Sequence, residues 1–150
     1  MKKIKSNSLR VSKILKPDKR TSVKLPMFLE AVSAGFPSPA DDYMEDRLDL
    51  NDHLVRNPAA TFFVRVTGDS MIEAGIHSGD ILVVDRSLNP RDGNIVIAVI
   101  DGELTVKRLR TQKTKVYLLP ENQNYKPIEI TSEMHFEVWG VVTNVIHSLA

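Results

Sequence analysis

From residue 61 onward the chain is a succession of short apolar runs rich in β-branched residues, each cut off by turn-forming residues. The runs are TFFVRV (61–66), DILVVD (80–85), IVIAVI (95–100), Glu103–Leu109, KVYLLP (115–120) and EVWGVVTNVIHSL (137–149), with Ile128 and Ile130 alternating in a further one. Most are too short for helices that bury a face, and Val, Ile, Thr, Phe and Tyr favour the pleated backbone. Between them lie NPRDGN (89–94), the polar RTQKTK (110–115) and Asp101-Gly102, a dipeptide that closes two-residue hairpins. GDSMIEAGI (68–76) reads as a turn plus a short helical piece. This pattern predicts a mainly β fold, a compact antiparallel domain over residues 61–150.

The first 60 residues are of another kind. Residues 25–36 (LPMFLEAVSAGF) are apolar, and PSPADDY after them is an extended or turning link. In residues 43–57, Tyr43, Arg47, Leu50 and Leu54 fall at helical spacing before Pro58, which predicts one short helix. Residues 1–24 hold nine Lys or Arg and a single acid, Asp18, without sustained periodicity. We read them as a largely disordered, flexible arm of charge +8 on a body of −7, giving the net +1. Such an arm is compatible with plain solvation, with weak DNA contact, with docking on the acidic body, or less readily with organellar targeting.

The absence of cysteine excludes disulfides, thiolate zinc sites and a cysteine nucleophile. A chain of 150 residues buries a core without such staples. No apolar run approaches the roughly 18 residues that span a bilayer, and the N-terminus lacks the apolar stretch of a secretory signal. The expectation is a cytoplasmic protein with no membrane partner.

Two residues offer chemistry. Ser70, in Gly68-Asp69-Ser70-Met71, follows a strand, where a serine can stand beside backbone amides able to hold an oxyanion. It needs a base. His53, His77, His135 and His147 fall in no Ser–His–Asp context and no metal-ligand spacing, so neither a metal nor a cofactor is expected. Lys107, on the strand returning from the Asp-Gly hairpin, shares a face with Thr105 and Leu109. As a cation it is no base, but burial in apolar surroundings lowers a lysine pKa, and Ser–Lys pairs are a known variant of the triad. Taken alone, a Gly-Asp-Ser is ordinarily a turn and a strand lysine ordinarily exposed.

The surrounding text is more specific. AGFPSPADDY (34–43), RLDLN (47–51), NPAATFFVRVTGDSM (57–71), GDILVVDRSL (79–88), GNIVIAVIDGELTVKRL (93–109) and FEVWGVVTNVI (136–146) resemble the UmuD family of mutagenesis proteins, relatives of the LexA repressor. The resemblance runs over about residues 25–148 in order and spacing, and only the basic first 24 residues are untypical. It implies the LexA C-terminal/UmuD type of β fold and a self-cleaving serine–lysine peptidase. Ser70 would be the nucleophile, Lys107 the base, and the Asp69 and Ser70 amides the oxyanion hole. The bond cut would be Ala34–Gly35, which removes residues 1–34 from a peptidase and dimerisation body of residues 35–150. Some UmuD proteins carry Cys at the first of these positions; Ala-Gly is the LexA pair. The partners implied are a RecA–single-stranded-DNA filament that stimulates cleavage in the SOS response, a second copy in a homodimer, and a UmuC-type Y-family polymerase for translesion synthesis. Val138–Ile146 is a candidate dimer strand, though a plain core strand fits it better.

Three other readings stand beside this one. Signal peptidases share the Ser-Met and Lys arrangement but are membrane-anchored. A LexA-like repressor needs a helix-turn-helix, for which the residues before Ala34 are too few and irregular. A binding module could keep the fold without the activity.

Overall fold

A computed structural model describes residues 8–17, 24–28 and 45–150. The chain divides into two units, one of residues 1–16 with 57–150 and one of residues 17–56. The architecture is mainly antiparallel β, as the sequence pattern predicts.

In the smaller unit, β2 (Lys24–Phe28) pairs antiparallel with β3 (Glu45–Asp49). The helix α1 covers only Leu50–Leu54, shorter than the 43–57 expected from spacing. Asp49 sets its start. Its backbone is extended (φ −95°, ψ 112°), and its carboxylate accepts the Asn51 amide at 2.9 Å, an N-cap. Residues 45–49 are therefore held by the β2 ladder, which the helical spacing of Arg47 and Leu50 did not reveal.

The larger unit is one eight-stranded sheet in the order β1-β4-β5-β10-β6-β7-β8-β9. Its strands are β1 (Arg10–Leu15), β4 (Thr61–Thr67), β5 (Ile81–Asp85), β6 (Ile95–Ile100), β7 (Glu103–Gln112), β8 (Lys115–Leu119), β9 (Ile128–Glu129) and β10 (Phe136–Ile146). All pairings are antiparallel. Asp101 and Gly102 both take positive φ (49° and 84°), the conformation that a tight β6–β7 hairpin demands. Among residues 1–24, read as an unstructured arm, Arg10–Leu15 instead form β1, an edge strand on β4. Its apolar positions, Val11, Ile14 and Leu15, are too few for a periodicity argument, and the strand is set by the partner it meets.

Two apolar clusters make the core. One gathers Leu9, Val64, Val66, Met71, Ile76, Leu82, Val84, Ile97 and Val106, and the other Val96, Ala98, Ile100, Leu109, Leu118 and Val141. Strand alternation assigns β6 residues to both in turn. The sheet curls until its first edge approaches β7, where the Leu9 carbonyl accepts the Val106 amide at 3.2 Å. β10 runs through the middle, paired with β5 on one side and β6 on the other. Both of its edges are paired within the chain, Gly140 and Val141 are buried, and Thr143–Ile146 are exposed, so of Val138–Ile146 only the first part is a core strand. It bulges between Val138 and Gly140 and between Val142 and Asn144. At Gly140 a Cβ would stand 2.5 Å from Val84 Cγ1, so any side chain there has to displace the buried Val84. No helix among the described residues is long and apolar enough to cross a membrane.

Candidate active site

β4 ends at Thr67, and Gly68 turns the chain with φ 109°, a conformation open to glycine at little cost. The turn carries Asp69 and Ser70 into the short 3-10 helix Ile72–Ala74. Met71 anchors it in the first core cluster, fully buried. A second loop holds it from behind. Glu121 donates its amide to the Ser70 carbonyl at 2.8 Å, and the Asn122 side-chain amide donates to the Asp69 carbonyl at 2.9 Å. The Tyr125 hydroxyl donates to the Asp69 carboxylate at 2.5 Å. Burial, then the Asp69 hydrogen bond and charge, push the Tyr125 phenol up to about 12, so it stays a donor. Among the described residues no acceptor meets the Asp69 or Ser70 backbone N–H.

Lys107 reaches the same point from β7. Across the ladder it pairs with Val96, and Thr105 pairs with Ala98, so both side chains lie on a face whose β6 members are buried and apolar. Lys107 is 2% exposed and Ser70 and Thr105 are 0% exposed. Lys107 Nζ lies 3.0 Å from Ser70 Oγ. It also lies 2.9 Å from Thr105 Oγ1, 3.1 Å from the Val106 carbonyl and 2.6 Å from Ser8 Oγ. No carboxylate is among these partners. Burial, and secondarily the positive charge of Arg10, lower the Lys107 pKa from 10.5 to about 8. A lysine of that pKa is neutral in roughly one-tenth of molecules at pH 7, against less than about one in a thousand for a free one. The neutral amine has a lone pair and stands within reach of the serine proton.

The structure thus brings together Ser70, Lys107 and the Asp69–Ser70 backbone. Ala34 and Gly35 lie outside the described residues. Four contributors escaped the sequence reading: Thr105, which fixes the Lys107 amine; the Glu121–Tyr125 loop; Ser8; and Leu9. Thr105 was visible as the residue two before Lys107 on the same face. The loop and the Ser8–Leu9 segment are brought in by tertiary folding and left no local signal.

Of the histidines, His147 meets Asp80 at 2.5 Å (Nδ1 to Oδ1), with His77 beside them. The three donor atoms lie within 4.8 Å of one another, a cluster that sequence spacing did not reveal. Its evident role is to tie the residues after β10 to the turn before β5. Among the described residues no hydrogen bond joins it to Ser70.

A family described as Peptidase S24-like matches residues 26–143. The chain is 55% identical to the Protein SamA of Salmonella typhimurium over 122 residues, 81% of this chain and 84% of that one. It is 47% identical to the Protein MucA of Escherichia coli over 126 residues, 83% of this chain and 84% of that one. It is 40% identical to the LexA repressor of Stenotrophomonas maltophilia over 124 residues, 83% of this chain but 58% of the repressor. With a family match over residues 26–143 and relatives of this identity and coverage, the chain belongs to the Peptidase S24-like family, on its UmuD branch.

Proposed function

We propose that this chain is a self-cleaving serine peptidase in which Ser70 is the nucleophile and Lys107 the general base, and that it cuts its own Ala34–Gly35 bond. The observation that carries this reading is the 3.0 Å approach of a buried lysine amine to a buried serine hydroxyl, without a carboxylate to keep the lysine charged. In the reaction, neutral Lys107 takes the Ser70 proton as Oγ attacks the Ala34 carbonyl carbon. The oxyanion is met by the Asp69 and Ser70 amides. Collapse breaks the Ala34–Gly35 bond, and the Lys107 ammonium hands its proton to the departing Gly35 nitrogen. The ester left between Ala34 and Ser70 is opened by water, with Lys107 again taking the proton. A small residue followed by glycine suits this step, because an extended backbone can then approach Oγ without a Cβ in the way.

The products are residues 1–34 and a body of residues 35–150. By its kinship with the UmuD proteins, cleavage answers DNA damage through a RecA–single-stranded-DNA filament. The body then acts, as a homodimer, as the accessory subunit of an error-prone Y-family polymerase. The test is the appearance of the 35–150 fragment on incubation, read by mass spectrometry. Ser70→Ala and Lys107→Ala are each expected to abolish it. A Lys107→Ala protein that cleaves normally would remove the assigned base.

A further inference from the structure

The Ser70 hydroxyl already has an occupant. The Leu9 amide donates to Ser70 Oγ at 2.8 Å, and Ser8 Oγ lies 2.6 Å from Lys107 Nζ. The Leu9 carbonyl accepts from the Val106 amide at 3.2 Å and from Thr105 Oγ1 at 3.0 Å. The Leu9 side chain is 0% exposed and belongs to the first core cluster. Beyond it, β1 zips along β4 from Arg10↔Thr67 to Leu15↔Phe63, with a bulge at Ser12 whose hydroxyl donates to the Arg65 carbonyl at 3.0 Å. Lys16 finishes the segment, donating to the Ala59 carbonyl at 3.0 Å with its amine 4.3 Å above the Phe62 ring.

We propose that residues 8–15 are a pseudosubstrate strand, seated in the groove that the Ala34–Gly35 bond must enter and holding the peptidase off until it is displaced. The inference rests on Ser70 being the nucleophile. Exclusion is steric: the scissile carbonyl cannot reach an Oγ that is fully covered and already in contact with the Leu9 amide. The occupant is also held in a form that does not react. Its N–H points at Oγ, so the hydroxyl lies near the plane of the Ser8–Leu9 peptide, whereas attack requires approach from above the carbonyl face. The carbonyl gripped by donors is that of Leu9, and those donors are Thr105 and Val106 rather than the Asp69 and Ser70 amides. The groove therefore has two ligands from one chain, one inhibitory and one cleavable. It accepts an extended segment with a small hydroxyl residue at the amine and a branched aliphatic residue in the core pocket.

Full-length variants test this in both directions. Leu9→Glu puts a charge in the apolar pocket, and its self-cleavage at Ala34–Gly35 is expected to be about tenfold faster or more, as release of about 1.4 kcal/mol of blocking contact would give. The opposite variant pairs Lys13→Cys with Arg65→Cys, cross-strand neighbours on exposed positions in a chain with no other cysteine. Facing strand positions fall within the span of a disulfide. Oxidised, with β1 locked, it is expected to cleave at least about tenfold more slowly than the same protein reduced, on the same scale. Equal rates in the two redox states would overturn the proposal while leaving the peptidase reading intact, as would fragments ending at Ser8 or Leu9. Failure of the wild type, of Leu9→Glu and of the reduced double variant to cleave at all would instead remove the peptidase reading, and the inhibitory role with it. Should Leu9→Glu fail to fold, the redox pair decides alone.

Discussion

Lys107 concentrates the chemistry of the site in one proton. Among the described residues its amine has four oxygen neighbours and no carboxylate partner, and an ammonium can donate to only three. Burial acts against the cation and so lowers the pKa to about 8. Two pH effects follow. The rate of self-cleavage should rise about tenfold per pH unit below 8 and level off above it, because only the neutral amine accepts the Ser70 proton. Initial rates of fragment formation between pH 6 and 10 check this, and a flat profile would contradict it. Stability should follow the same group. The folded pKa lies below the unfolded value, so protonation favours the unfolded chain, and the resulting penalty is fully present below pH 8. It is relieved as pH rises from about 8 to about 10.5, by roughly 3 kcal/mol in all. Lys107→Met should abolish cleavage and remove this rise. Urea melts of wild type and variant at pH 7.5 and 10 measure the difference, and identical pH dependence would contradict the account.

At the scale of elements, the site is a turn held from behind by a loop. Asn122 and Tyr125 grip Asp69 through its carbonyl and its carboxylate. Asn122→Ala should slow cleavage by about three- to tenfold, the worth of one positioning hydrogen bond, without changing the melting temperature by more than a few degrees. An unchanged rate would mean that the Ser70 turn needs no such support. Gly140→Ala should cost about 1–3 kcal/mol of unfolding free energy, because its methyl meets Val84 Cγ1 on a central strand. Thermal unfolding reads that directly. These elements also mark what the residues disclosed in advance. The runs at 61–66, 80–85, 95–100 and 115–120 were legible because β-branched residues, turn dipeptides and period-2 alternation are local signals. The pairing of Ser70 with Lys107 was legible only through neighbouring text that resembles UmuD. β1 was not legible, since an edge strand with so few apolar positions owes its form to the β4 backbone it meets. The shortening of the 43–57 helix to Leu50–Leu54 has the same origin, a ladder partner about twenty residues upstream.

At the scale of the molecule, the proposed function puts the peptidase, the bond it cuts and the strand that blocks it in one chain. The larger unit combines residues 1–16 with residues 57–150, and within it the Leu9 amide meets the Ser70 hydroxyl. The charge division, +8 in the first 24 residues against −7 elsewhere, would make a released 1–34 piece basic and the remaining body acidic. Cleavage as proposed would change the surface as well as the length of the protein, which suits the proposed change of partners. That Ser70 and Lys107 form a working pair is the claim on which the rest stands. It is tested most directly by incubating the full chain at pH 7 and at pH 9.5 beside Ser70→Ala and following intact mass. The account predicts conversion to residues 1–34 and 35–150, faster at pH 9.5, and none in Ser70→Ala. An intact wild type under both conditions and with an activated RecA filament present, or the same fragment from Ser70→Ala, would contradict it.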